Sequence, residues 1–386
     1  MKKFLSLILS IYLGLLPAIA VEEVILDVDD NEDDKPEFIE KILHEEDEQG
    51  LSLYEKLQNI KAREITDTTR SAYLLDSILT KKFESGPLET AHLFAYYRAA
   101  MNFDPDEGDG EYDFNAIQAG VNGKFRGGKN FYEARFRFDT KDGYSFLQTM
   151  PVDIYIANTS IPNHRIVVGH TRTATGYEGA RSDSIIYMIN RAQISRNFSN
   201  VRRLGVKIKG TYPLVDYDIG GYSSDTYFQS FFPGGEFSGW VNFKPLGKTD
   251  GKYGKLKIGT GLTAGQNNTN YCVTGLYSSY EYKKIYANFE WANANGYNGS
   301  KGISTKHAEG FYTTLGYKIT PKLQVLARYD QYRPDKRFNN DIREYSTGIN
   351  YFIKGQALKL MLNYVFCQND TAKDSHRLVL GTQILL

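Results

Sequence analysis

Residues 321–386 alternate apolar and polar side chains with a period of two, in four runs separated by connections of unequal length. Leu323, Val325, Ala327 and Tyr329 share one face of the first run, and Tyr345, Thr347, Ile349, Tyr351 and Ile353 share one face of the second. In the third, Leu358, Leu360, Leu362, Tyr364 and Phe366 alternate with Lys359, Met361, Asn363 and Cys367; the fourth carries Leu378, Leu380, Thr382, Ile384 and Leu386. A two-residue period is the signature of a strand with one face against an apolar medium. These runs exceed the usual strand of about five or six residues and suit a tilted bilayer-crossing strand, which takes roughly 9–11.

The start of the chain agrees with a membrane destination outside the cytoplasm. Lys2 and Lys3, an apolar core over residues 4–16 and the small-residue site Ala18-Ile19-Ala20 read as an export signal over residues 1–20. Beyond residue 20 no uninterrupted apolar run approaches the length of a membrane helix. The only other structure that satisfies every backbone polar group in lipid is a closed barrel. Aromatic residues make up 14% of the chain, with 29 Tyr and 22 Phe, which favours pleated strands and supplies the rings that girdle a membrane barrel at both rims.

The zero net charge conceals two oppositely charged parts. Residues 21–88 hold 19 acidic and 8 basic side chains, leaving 27 acidic and 36 basic in residues 89–386. The block at 27–34 lacks the apolar surface to fold and is expected to be disordered. From Pro36 the spacing of Phe38, Ile39, Ile42, Leu43, Leu51, Leu53, Leu57, Ile60, Tyr73, Leu74, Ile78 and Leu79 becomes helical. Residues 21–88 are therefore expected to form an acidic, partly helical periplasmic extension; the sharper alternative is an interaction segment or a pore plug, because its acid could pair with a basic lumen.

From residue 89 onward alternating segments recur at 89–101, 114–125, 130–139, 151–158, 164–172, 201–212, 214–223, 235–245, 252–264, 270–282, 284–294 and 307–319. With the four final runs they make sixteen, an even number as single-chain bacterial barrels require. The expected fold is all-β: a transmembrane antiparallel barrel of about 16 strands over residues 89–386. Tight turns at Gly127-Gly128, Tyr212-Pro213, Tyr282-Lys283, Thr320-Pro321 and Lys354-Gly355 alternate with longer polar links such as 295–306, 331–342 and 368–374. Short periplasmic turns opposite longer outer loops are the barrel rule. The longest link, 173–200, holds the apolar run Ile185-Ile186-Tyr187-Met188-Ile189, which needs somewhere to pack. Folded into the barrel, it would narrow the pore and carry Arg181, Arg191 and Arg196 toward the permeation path; the alternative is a surface cap that shields the rim.

Energy decides which face meets lipid, since a Lys or Arg on the lipid face at the midplane costs about 2–4 kcal/mol. Tyr132, Ala134, Phe136 and Phe138 are thus expected to face out and Glu133, Arg135, Arg137 and Asp139 in. Leu204, Val206 and Ile208 face out, leaving Arg203, Lys207 and Lys209 inside; Leu256, Ile258, Leu262 and Ala264 face out, leaving Lys255 and Lys257 inside. Arg328, Lys359 and Arg377 join them from the last strands. Balanced by Glu133, Glu281, Glu290 and Asp330 these cations are solvated lumen groups; in excess they favour anions, and Arg offers the fork that fits oxyanions.

Two stretches resemble a known family. Val167-Val168-Gly169-His170-Thr171-Arg172-Thr173, the long Arg-bearing loop and Arg202-Arg203-Leu204-Gly205-Val206 are similar to the third-loop region of the phosphate-selective porin O and P family. Gly316-Tyr317-Lys318-Ile319-Thr320-Pro321-Lys322-Leu323-Gln324, Ala327-Arg328-Tyr329-Asp330 and Thr347-Gly348-Ile349-Asn350-Tyr351 resemble that family's C-terminal hairpins. The resemblance implies a sixteen-stranded porin of the bacterial outer membrane, in contact with its lipid, often a homotrimer, passing small anionic or neutral solutes. The family's basic ladder does not align residue by residue, so its phosphate site is not carried over.

The expected function is a passive diffusion channel with anion preference, extending to phosphate or other oxyanions. The alternative is a structural or adhesive barrel with a plugged lumen. An outer-membrane enzyme would need a nucleophile, a base and an orienting group near one rim, and no G-x-S-x-G signature occurs. The six His are scattered without ligand spacing, Cys272 and Cys367 read as two free thiols, and nothing calls for a metal, a cofactor or nucleic acid.

Overall fold

Amphipathic strands at membrane depth must hydrogen-bond along both edges, because lipid offers no partners. In the computed structural model, which describes residues 74–75, 79–139 and 145–386, they do so by closing into a ring. One sheet holds seventeen strands. The first, β1 (Thr80–Lys82), is a stub. The sixteen barrel strands begin with β2 (Leu88–Asp104), β3 (Asp109–Phe125), β4 (Asn130–Arg137), β5 (Pro151–Asn158), β6 (His164–Arg172), β7 (Arg202–Thr211), β8 (Val215–Ser223) and β9 (Gly235–Phe243). They continue with β10 (Lys255–Asn267), β11 (Thr269–Tyr282), β12 (Ile285–Gly299), β13 (Gly302–Lys318), β14 (Leu323–Arg333), β15 (Ile342–Lys354), β16 (Leu358–Asn369) and β17 (Ser375–Leu385).

All sixteen segments expected from the sequence are present. Each strand pairs antiparallel with its neighbour, and β17 closes on β2 with Leu378 opposite Phe103 and Leu385 opposite Tyr96. Leu386 completes the seam by exchanging backbone hydrogen bonds of 2.9 and 3.0 Å with Ala95. The ordered sheet starts earlier than residue 89. β1 pairs with β2 from Thr80 opposite His92 to Lys82 opposite Thr90, and the Leu74 N–H donates to the Leu385 carbonyl at 2.8 Å. The export signal and most of the acidic segment lie outside the described residues. Among the described residues no helix is long and apolar enough to cross a membrane.

The rule relating link length to barrel end fails in one region. The link expected at 295–306 is mostly strand: β12 and β13 run on to a two-residue turn, with a register shift between Asn295 and Tyr297. Gly296 stands there at φ +67°, a conformation glycine alone adopts at no steric cost. Asn268 by itself joins β10 to β11, whereas 244–254, at the end of the barrel that holds the short turns, is longer. On this side strand pairing continues through the expected links and replaces loops with hairpin.

Side-chain parity follows the apolar pattern. Ile156, Val168, Val206, Ile258, Ile349 and Leu362 are exposed on the outer face, while Arg98, Gln324, Asn350, Asn363 and Gln383 are buried on the inner one. The wall itself is uneven. Strands β4 to β9 have 8–10 residues, whereas β10 to β17 with β2 and β3 have 11–17. Across β12 to β17 a row of rings touches neighbour to neighbour: Phe289, Phe311, Tyr329, Tyr345, Phe366 and His376, with centroids 4.7–6.1 Å apart. Such a row is the aromatic girdle expected at a membrane interface.

Candidate functional site

The link from β6 to β7, residues 173–201, folds into the barrel. A non-helical backbone at this depth must find every partner in protein, and the inner wall supplies them. Glu290 on β12 accepts from the N–H groups of Tyr177 (2.7 Å) and Glu178 (3.2 Å). Asp330 on β14 accepts from Gln193 N–H at 2.7 Å, and Asn363 on β16 from Ile189 N–H at 2.8 Å. Loop carbonyls are taken by Asn350 (to Tyr187, 2.9 Å), Gln383 (to Ser184, 3.0 Å) and Arg98 (to Met188, 3.0 Å, and Ile189, 2.7 Å). The loop ends in the short helix α1 (Gln193–Phe198).

The apolar run finds its packing on the same wall. Ile189 joins Ala100, Met361 and Val379, and Ala192, Ile194 and Phe198 join a cluster with Ala292, Ala308, Tyr312 and Tyr332. Small wall residues make room for it. A Cβ at Gly381 would stand 3.0 Å from the Ile189 side chain, and one at Gly310 would stand 2.7 Å from that of Ile194.

The cations assigned to the lumen divide by partner. Arg328 binds Glu178 of the loop at 2.6 Å and the Asn190 carbonyl at 3.1 Å. Lys359, with no exposed surface, reaches the carbonyls of Ser184 (3.4 Å) and Ile186 (3.3 Å) and the Gln356 side chain (2.8 Å). Arg203 is equally buried, paired with Glu236 at 2.7 Å and donating across the interior to the Asn298 carbonyl at 2.6 Å. The parity argument therefore gives their face but not their exposure: Arg203 and Lys359 are sequestered by protein partners and do not line open lumen. Arg377 shares Glu344 with Arg196 of the loop, at 2.9 and 2.8 Å.

The others lie on the opposite arc. Arg135 contacts Glu133 (2.6 Å) and Asp153 (3.8 Å), Arg137 contacts Asp139 (3.6 Å), and Lys207 and Lys209 approach Asp218 at 3.6 and 3.4 Å. Lys257 stands 3.7 Å from Asp216, and Lys255 opens β10 on an exposed position. Between this arc and the loop is a cavity of about 330 Å³ lined by Arg98, Arg137, Arg191, Arg196 and Arg202, against the acids Asp139 and Asp183. A smaller space of about 40 Å³ shares Arg202 and adds Arg135, Arg172, Lys207 and Lys209, with Glu133, Asp153 and Asp218. Arg98 and Arg196 each keep a buried Nε–H with no protein acceptor.

Of the three loop arginines, Arg191 and Arg196 reach the large cavity, while Arg181 lies over the Tyr177 ring and contacts its hydroxyl at 2.5 Å. Arg191 also closes the loop on itself, bonding Asp183 at 2.5 Å and the Arg181 carbonyl at 2.7 Å. Burial alone would raise the Asp183 pKa, but Arg191, Arg172, Arg202 and Arg98 together hold it below the ordinary carboxylate range. Arg98, Arg172 and Arg202 were not singled out by sequence as pore residues. Parity applied to β2 would have found Arg98; Arg172 and Arg202 sit at the ends of their strands, where alternation loses meaning. Among the described residues no group of His, Cys, Asp and Glu could hold a metal, and Cys272 and Cys367 are free thiols.

Residues 250–385 match the family model described as phosphate-selective porin O and P. No curated protein matches the chain by sequence. The structure is similar to a loop L8 deletion mutant of OmpT, an outer membrane protein of Vibrio cholerae, at 12% identity and a TM-score of 0.56, covering 77% of this chain and 99% of that one. The outer membrane channel DcaP of Acinetobacter baumannii gives 12% and 0.56 over 79% and 99%. An anion-selective porin from Comamonas acidovorans gives 12% and 0.55 over 77% and 99%. At such identities the structural likeness is one of fold.

Proposed function

Taking as premise that this is a bacterial outer-membrane barrel of porin type, related over residues 250–385 to the phosphate-selective porins O and P, we propose that it is a passive diffusion channel with a preference for small anions. One observation carries the preference: the cavity beside the inward loop is lined by five arginines and two acids. A confined space with excess fixed positive charge lowers the energy of an anion inside it and raises that of a cation. Ion pairing with Asp139, Asp153, Asp183 and Glu344 moderates the field, so the preference is weak, and no single tight binding site is implied. Solute passes by diffusion, and no bond is made or broken.

The basic surface is continuous beyond that cavity, since Arg202 borders the second space, where Arg172, Lys207 and Lys209 follow. An anion leaving one set of donors meets the next, as conduction requires. Phosphate and other oxyanions suit the guanidinium fork and are the solutes to try first. Single-channel recording in a planar bilayer under a salt gradient tests this reading. The expected result is discrete steps with a reversal potential displaced toward the anion value; a folded protein giving no steps, or a displacement toward the cation value, overturns it.

A further inference from the structure

The arc from β9 to β15 ends differently at its two rims. At the outer rim the cations are matched: Arg333 bonds Asp341 at 2.5 Å, Arg343 bonds Asp370 at 2.8 Å, and Lys336 lies 3.8 Å from Glu309. The opposite rim is the periplasmic one, since it holds the short turns. Three turns stand next to one another there, 244–254, 283–284 and 319–322. They expose Lys252, Lys283, Lys284 and Lys322, and among the described residues none of the four has a carboxylate within salt-bridge distance. The three turns hold one acid, Asp250. Turns 159–163 and 212–214, on the other side of the barrel, hold no charged residue at all. The lysines have apolar neighbours: Ile285, Tyr317 and Ile319 are about half exposed, and Ile285 faces Tyr317 across β12 and β13 on the same side as Phe289 and Phe311. Lys283 Nζ stands 5.0 Å from the centre of the Tyr282 ring, and Lys252 Nζ 5.3 Å from that of Tyr253. Lys283 also sits at φ +51°, a left-handed turn position that Asn or Gly fills at less cost. A lysine pair is held there against local preference.

We infer that this inner rim, turns 244–254, 283–284 and 319–322, is a seat for anionic phospholipid headgroups of the periplasmic leaflet. A phosphodiester supplies the acceptor oxygens and the negative charge that these ammonium groups do not find in protein, and each lysine beside an anionic membrane surface strengthens the attraction. Free phosphate carries the same oxygens. The apolar neighbours decide between the two. Ile285, Tyr317 and Ile319 form a surface for glycerol and the first acyl carbons, and the lysine stems follow that boundary with their charge toward the headgroup. A free ion would leave that surface bare. The tyrosine rings under Lys252 and Lys283 hold the ammonium groups at the height of the interfacial belt. The outer rim of the same arc offers no such seat, because Asp341, Asp370 and Glu309 already neutralise its cations. The inference rests on the outer-membrane orientation and not on conduction, so a barrel that gives no steps in bilayer recording leaves it standing.

The test uses full-length protein in mild detergent, mixed with equal amounts of phosphatidylglycerol and phosphatidylethanolamine and weighed by native mass spectrometry. The wild type is expected to retain phosphatidylglycerol at least severalfold over phosphatidylethanolamine. Lys252→Gln, Lys283→Gln, Lys284→Gln and Lys322→Gln together should abolish that preference, while Arg333→Gln with Arg343→Gln at the outer rim should keep it. Equal retention of both lipids by the wild type, an unchanged preference in the four-lysine variant, or an equal loss in the outer-rim variant overturns the proposal. The heat-dependent gel shift of a folded barrel qualifies each sample. Should the four-lysine variant not fold, Lys252→Gln with Lys322→Gln, which leaves the turn 283–284 intact, decides the matter: a reduced preference supports the seat, and an unchanged one overturns it. Prior incubation with sodium phosphate should displace no more phosphatidylglycerol than sodium chloride of equal ionic strength. Greater displacement assigns the lysines to free phosphate and overturns the lipid seat.

Discussion

On the arc from β12 to β17, Arg328 and Lys359 direct their donors to carbonyl and carboxylate oxygens of the inward loop. On the arc from β4 to β8, Arg135, Arg137, Arg202 and Lys209 meet carboxylates of the wall itself and border open space, while Lys207 is buried and donates to the Arg172 carbonyl at 2.6 Å. The residue types are the same, and so, apart from Arg202 at its strand end, is their inward parity; the difference lies in what stands opposite. Where a loop is pressed against the wall, its backbone must be satisfied and the cations become fasteners. Where open space separates the loop from the wall, the same kinds of cation keep part of their field for solute. A count of inward Lys and Arg therefore overstates the charge an ion meets.

The largest effect that would sharpen this division belongs to Arg203 on β7, a cation sequestered by Glu236 and by carbonyls outside the inward loop. Arg203→Met leaves Glu236 charged and buried without its partner, a change that costs about 3–5 kcal/mol. Urea titration of the barrel in lipid vesicles should show that loss, and Arg203→Met with Glu236→Leu should recover much of it, because a buried pair replaced by apolar groups of similar volume is often neutral. No destabilisation in the single variant would mean that Arg203 is hydrated and belongs to the lumen.

A smaller effect is expected from crowding the seat of the loop. Gly381→Leu drives a side chain into Ile189 and Met361, an overpacking of about 1–3 kcal/mol that should displace the loop without altering charge. Larger or noisier conductance steps with an unchanged reversal potential are expected in bilayer recordings. A shifted reversal potential with unchanged step size would contradict the separation of fastening from selection.

The smallest effect is that of acid. Asp183 is held below the ordinary range by its arginines. A depressed carboxylate contributes fully above its unfolded value, near ~3.9, and loses that contribution only as pH falls through the lower folded value. Conductance should therefore show no transition from Asp183 between pH 7 and 4, whereas Asp183→Asn should loosen the loop already at pH 7. A wild-type transition in that interval that Asp183→Asn abolishes would show the residue to be less shielded than described.

Much of the barrel is legible from alternation, because the energy of a charge in lipid leaves only one acceptable parity for each strand. The segments expected at 89–101 and 151–158 are strands β2 and β5. The inward turn of the third loop was legible too, since Ile185 to Ile189 had to be packed somewhere. Link lengths were less informative around 268 and 295–306, where strand pairing continues through the expected links. What could not be read is which cation is fastened. That depends on partners far away in the chain, such as Arg328 with Glu178, 150 residues apart, and Gln383 with Ser184, 199 apart. Periodicity reports a side chain's face, not what the fold brings up to meet it.

The most direct measurement is a pair of reversal potentials in one salt gradient. Arg137→Glu with Arg202→Glu places acid where the cavity is basic, and Lys359→Met removes a cation of equal parity that is fully buried. The expected result is a clear displacement toward the cation value for the double variant and none for Lys359→Met. An unmoved double variant, or an equal displacement by Lys359→Met, would contradict the assignment of selectivity to the arc from β4 to β8.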